Sequence, residues 1–184
     1  MLHVSDISYG PVNGGLFDGQ GAVHIEFGDG FDLSVIGVLS SLEAFIREHG
    51  MKSVHVRLFG DLYHQGSDEL EALLSTLNER GYMTSALVDG KIRLPWLEKI
   101  SYRVACITES PWTGYAAAEL RYVPGPEPKR PAVLPPNCSF LYITQGENTA
   151  PQDMLRFLLK NPDFRIFSRP VRQYRTKVPM VMEE

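Results

Sequence analysis

Three groups of side chains in this chain have types and spacing that could do chemistry. Asp61 and His64, three residues apart, could join Glu26 near the ends of two strands, where imidazole and carboxylates bind divalent metals or move protons near neutral pH. The flanking Tyr63, Gln65 and Gly66 read equally well as an ordinary polar loop, so no metal is assigned to them. Gly10, Gly14, Gly15 and Gly19 could cradle a phosphate or a purine edge with backbone N–H groups, or could simply make tight turns. No Gly-Lys-Ser/Thr follows them, as a P-loop would require. They precede a strand, whereas a dinucleotide fingerprint follows one. Arg165, Arg169, Arg172, Arg175 and Lys177 are interleaved with Phe164, Phe167 and Tyr174, a mixture that can bind nucleic acid or phosphates, or form a solvated rim. Cys106 and Cys138 read as buried packing thiols of a reducing compartment.

The elements that must position these groups follow from periodicity. Ala22 to Phe27 alternates as a strand, and Gly28, Gly30 and Gly37 suggest a short irregular connection after it. Leu39 to Gly50 has helical spacing with Gly50 as its stop. Val54 to Leu58 is a strand. Ser67 can cap a helix whose buried stripe is Leu70, Leu73, Leu74 and Leu77. Tyr82–Val88, Tyr102–Ile107, Glu119–Val123, Ser139–Thr144 and Phe164–Ser168 are further strands, and Met154 to Lys160 is a short helix, preceded by Pro151 at a first-turn position. Residues 124–136 hold six of the 13 prolines and form an extended surface loop. Strands separated by helices predict a parallel sheet, since parallel neighbours need crossovers. The weak helices of the second half predict an incomplete (β/α) barrel in a single domain spanning residues 1–184. Ligands of such folds gather at the carboxyl ends of strands.

Composition narrows the classes. A formal charge of −4 gives no general attraction to nucleic acid or anionic membrane. No apolar run approaches a membrane span, and the first residues lack the basic and apolar regions of a signal peptide, so a cytoplasmic protein is expected. No Gly-x-Ser-x-Gly elbow or spaced Cys/His pair supports nucleophilic hydrolysis.

Several segments taken together resemble 7-carboxy-7-deazaguanine synthase, a radical S-adenosylmethionine enzyme family. That family's Q-G-E-G turn and following strand correspond to the stretch from Val12 to Glu26. Its G-G-E-P falls on Phe59-Gly60-Asp61-Leu62, its T-N-G on Val88-Asp89-Gly90, and its S-P-K on Ser110-Pro111-Trp112. An E-L-K-x-V is echoed by Glu119-Leu120-Arg121-Tyr122-Val123, and a closing Q-x-H-K region falls near Arg169 to Tyr174. The departures are selective. The three cysteines that would hold a [4Fe–4S] cluster after the first strand are absent, and no cysteine occurs before Cys106. The glutamate and proline of G-G-E-P are gone, and Trp112 stands for the lysine of S-P-K.

The resemblance therefore implies a radical-enzyme-like fold without a cluster, a cofactor or catalytic residues. The leading expectation is a non-catalytic pseudoenzyme that binds a protein partner as an accessory, inhibitory or assembly factor, in the manner of some viral or mobile-element proteins. A homodimer is also open. The second is a cluster-free protein, or residual enzyme of 7-deazaguanine metabolism, that still accepts a pterin, purine or nucleotide. The third is a nucleic-acid-associated protein using the basic segment at Arg165, Arg169, Arg172 and Arg175. Candidate ligand or partner contacts are Gly14, Gly15, Gly60, Asp61, His64, Asp89, Ser110, Trp112 and Tyr115. Trp112 and Tyr115 are either interface anchors or fillers of space vacated by the cofactor.

Overall fold

The computed structural model describes residues 1–88, 94–107, 115–146, 148–167 and 175–181. The chain opens with a long antiparallel pair, β1 (Leu2–Pro11) and β2 (Gly21–Leu33). Six parallel strands follow: β3 (His55–Gly60), β4 (Met83–Val88), β5 (Tyr102–Ile107), β6 (Glu119–Tyr122), β7 (Phe140–Ile143) and β8 (Phe164–Ile166). A two-residue β9 (Thr176–Lys177) returns antiparallel to β1. The spatial order is β8-β7-β6-β5-β4-β3-β2-β1-β9. This is an α/β fold on a mostly parallel sheet, as expected. Among the described residues the sheet does not close, because β8 and β9 each lack a partner on their outer side.

The helices are few. α1 (Val35–Glu48) joins β2 to β3, α2 (Ser67–Glu79) joins β3 to β4, and α3 (Pro151–Lys160) joins β7 to β8; a 3-10 helix at Pro95–Lys99 lies between β4 and β5. Four details differ from the sequence expectations. Residues 2–11 form a strand that periodicity did not single out. Gly28 to Leu33 continue β2 instead of forming a connection: Gly28 to Gly30 bulge opposite Val4, and Phe31 to Leu33 pair with the start of β1. α1 starts at Val35, not Leu39, because the Ser34 hydroxyl accepts the Gly37 N–H at 3.0 Å. Ser67 is the first residue of α2 and caps nothing; the cap position is Gly66, and Asp68 and Glu69 favour the positive helix end.

Register divides the sheet into two unlike faces. Paired residues in a parallel ladder share a face, and alternate residues swap it. One face carries Val23, Ile25, Val56, Leu58, Ala86, Val88, Ala105, Leu120 and Ile143, all essentially without solvent contact. They share one core with Leu70, Leu73, Leu74 and Leu77 of α2, and with Leu42 and Phe45 of α1. The 3-10 helix, through Trp96 and Leu97, and α3, through Met154 and Phe157, join the same core, as sequential strand order with right-handed crossovers requires. Among the described residues the second face carries no helix, and it is polar: Ser8 pairs with His24, His24 with Arg57, Arg57 with Ser85 and Ser85 with Tyr102, while Val104 pairs with Glu119 and Cys106 with Arg121 and onward to Tyr142. Parallel sheets ordinarily bury apolar residues on both faces, so a polar row across five strands needs a reason. Among the described residues no helix is long and apolar enough to cross a membrane.

Candidate functional site

The polar face borders a half-open cavity of about 250 Å³ in the carboxyl halves of the parallel strands. β3 contributes Arg57 and Phe59, β4 Leu87, β5 Cys106 and β6 Arg121. Val123 and Thr144 follow β6 and β7, and Asn13, Phe167 and Arg175 complete the wall. Three arginines thus border one small space, and no acidic residue lines it among the described residues.

Each arginine is held differently. Arg121 is fixed from beneath, its Nε donating to Glu119 Oε1 at 2.7 Å, and its guanidinium lies 4.3 Å from the centre of the Phe167 ring. Arg175 lies over Phe59 at 5.4 Å, with its Nε buried and unpartnered. Arg57 has no hydrogen-bond or ion-pair partner among the described residues. Burial first, and the repulsion of Arg121 and then Arg175, push its pKa down to about 10 against the partly offsetting pull of Glu119.

A lower layer closes the amino ends of the strands. Glu119 is 1 % exposed. Besides Arg121 it accepts the Leu16 N–H at 3.2 Å and the Tyr102 hydroxyl at 3.4 Å on Oε2. Burial, with Glu119 beside it, pushes the Tyr102 pKa up, so this phenol stays protonated as a donor. The β1–β2 loop, residues 12–20, makes the floor: Phe17 meets His55 and Tyr102 edge-on at 5.0 and 4.7 Å between ring centres. His55 Nε2 shares a 2.7 Å hydrogen bond with Ser85 Oγ, and His24 Nε2 donates to the Gly10 carbonyl at 3.2 Å. The Nδ1 atom of each histidine is buried without a partner. Burial pushes both histidines down to about 4, helped by Arg175 at His24 and Arg57 at His55, so both are neutral at physiological pH.

The sequence-chosen residues are scattered by comparison. Gly14 and Gly15 belong to the floor loop. A Cβ on Gly14 would overlap the Phe167 ring, and one on Gly15 the Glu119 carboxylate. Both have positive φ, 71° and 78°, so glycine is required for conformation and for close approach. The loop does hold an anion by a backbone N–H, but that anion is the protein's own Glu119. Gly60 ends β3 against the Phe27 backbone. Asp61 Oδ1 and His64 Nδ1 lie 2.6 Å apart on an open loop, with side chains 47 and 83 % exposed. Glu26 does not join them: it lies on β2, opposite Phe59 and Asp6. Among the described residues no three His, Cys, Asp or Glu side chains gather as a metal site needs. Tyr115 is 7 % exposed, packs in the core and shares a 3.1 Å hydrogen bond with Tyr63, so it fills space. Arg165 is exposed on β8, whereas Arg175 turns into the cavity and leaves the expected basic surface. Asp89, Ser110, Trp112, Arg169 and Arg172 lie outside the described residues.

No family model matches this chain, and no curated protein matches it. The site rests on its own geometry.

Sequence reading missed His24, His55, Arg57, Glu119 and Arg121 as site residues, took Cys106 for a packing thiol, and placed Phe167 only in the basic and aromatic segment. The signal was present. Val54-His55-Val56-Arg57-Leu58 and Glu119-Leu120-Arg121-Tyr122 each place charged or imidazole groups at every second position of a strand. In a parallel sheet that alternation marks a face turned toward something polar.

Proposed function

We propose that this chain is a cluster-free relative of 7-carboxy-7-deazaguanine synthase, an open radical-enzyme-like barrel that binds a small acidic ligand of the pterin, purine or nucleotide class. The observation that carries this reading is Arg57. A guanidinium is costly to draw even partly out of water without a partner, and Arg57, half-buried in the cavity wall, is placed beside two more arginines while the nearby Glu119 carboxylate is bonded to Arg121. A fold tolerates such an uncompensated cluster where an anion completes it, and local strain of this kind concentrates at working sites. The site lies at the carboxyl ends of parallel strands, where ligands of such folds bind. The protein-partner reading has less support, since Tyr115, one of its two anchors, is in the core. In the position where the enzyme family carries its cluster loop, Gly28 to Gly30 form a bulge and Phe31 to Leu33 pair with β1.

Cys106 supplies the test, because it lines the cavity and Cys138 does not, while both are half-buried. The full chain is alkylated with iodoacetate, an anion, and with iodoacetamide, its neutral counterpart, and both cysteines are quantified by mass spectrometry. Comparing two reagents on one thiol cancels that thiol's own reactivity. Cys106 should favour iodoacetate over iodoacetamide by about tenfold more than Cys138 does, the low end of what a charged cleft achieves. Equal ratios at the two cysteines would sink the acidic-ligand reading.

A further inference from the structure

The walls of the same cavity specify the acidic ligand more closely, on the condition that the acidic-ligand reading holds. We infer that its acidic group is the dianion of a phosphate monoester, carried on a flat ring.

Charge sets the valence. Arg57, Arg121 and Arg175 bring three positive charges to the space, and Glu119, bonded to Arg121 Nε from below, offsets one. Two charges remain, and a carboxylate supplies one. Shape then separates dianions. The guanidiniums arrive from β3, from β6 and from residue 175, three separate points on the wall. A phosphate monoester offers three terminal oxygens around one atom, matching three planar forks that prefer paired acceptors. Two carboxylates on one molecule spread the same charge over separated groups. Arg121 is already oriented: the Glu119 bond consumes Nε and leaves both terminal nitrogens for a ligand, so Glu119 is a positioning residue.

The remaining wall sets the body of the ligand. Phe59, Leu87, Val123 and Phe167 are apolar, and a bare phosphate would leave them wet. The volume of about 250 Å³ corresponds to roughly eight waters of bulk liquid, well beyond an inorganic anion. A planar ring next to the charged group covers the phenylalanines and fills that space.

Isothermal titration calorimetry of the full chain near pH 7.5 separates these points with four probes. Phenyl phosphate, a dianion at that pH, should bind most tightly. Phenyl sulfate, the same shape with one charge, should bind about tenfold more weakly or worse. Inorganic phosphate and phthalate should each be weaker by a similar factor. Arg57→Met, checked for folding by its thermal transition, should erase the difference between phenyl phosphate and phenyl sulfate. Equal affinity for the phosphate and the sulfate would overturn the dianion while leaving an acidic-ligand site intact. Equal affinity for inorganic phosphate would overturn the ring, and tighter binding of phthalate would overturn the phosphate. Failure of all four probes to bind would overturn this inference. If Cys106 nevertheless favours iodoacetate, the acidic-ligand reading survives it; if that preference is missing too, both fall.

Discussion

Arg57→Met should stabilise the ligand-free protein, the reverse of what most substitutions of partly buried residues do. The folded pKa of Arg57 is pushed down to about 10, roughly two to three units below that of a free guanidinium. At 1.36 kcal/mol per unit, that drop corresponds to roughly 3 kcal/mol of unfavourable charge in the folded state. The sign follows from linkage: the folded protein binds this proton less tightly than the unfolded chain, so the cost is present in full below about pH 10 and is relieved only as pH rises further. Methionine keeps an unbranched stem of similar reach and fills irregular space, but gives up the guanidinium's contacts with the wall. A net gain of about 1–2 kcal/mol remains. Urea unfolding at neutral pH reads it directly, and the melting temperature should rise by about 2–8 °C for a chain of this size. The same variant should lose any stabilisation by added anions. A loss of more than about 1 kcal/mol in ligand-free Arg57→Met would show that the guanidinium is satisfied within the protein, and would remove the case for an anion site.

Two further substitutions probe the layer beneath. Glu119→Gln removes one half of a buried ion pair and should cost about 3 kcal/mol in urea unfolding. Adding Arg121→Met to it should recover much of that loss, and a strictly additive double variant would contradict the pairing. His24 and His55 are held neutral with pKa values near 4, so their contribution is complete above about pH 6.5 and drains away as pH falls toward 4, by up to about 3 kcal/mol each. In the double variant His24→Gln/His55→Gln that acid-side loss should flatten, and an unchanged slope would show that these imidazoles are not the source.

The apolar half of this architecture was legible in the sequence because one face of every strand and one stripe of α2 follow simple periods. Leu70, Leu73, Leu74 and Leu77 pack as their spacing requires. β1 was missed because Leu2 to Pro11 mixes polar and apolar residues in a stretch rich in turn formers, and its strand character comes from pairing with β2 along ten residues. Gly28 and Gly30 misled for a related reason: glycine reads as a turn, but here it admits the bulge and close approach that β1 and β2 make. The site was harder. Motif reading favours clusters close in sequence, such as Asp61 and His64, which share an exposed loop. Arg57, Arg121 and Arg175 are far apart in the chain and meet because the strands are laid in sequential order and residue 175 returns to the same cavity. The alternation in β3 and β6 carried the hint, but strand order was needed to show that the two polar faces are the same face.

The most direct measurement is a crystal of the full chain soaked in tungstate, a dianion with the tetrahedral form of phosphate and a strong anomalous signal. The account predicts an anomalous peak inside the cavity, within hydrogen-bond reach of Arg57, Arg121 and Arg175, that disappears in Arg57→Met. Peaks confined to the outer surface, with the cavity empty at saturating tungstate, would contradict it.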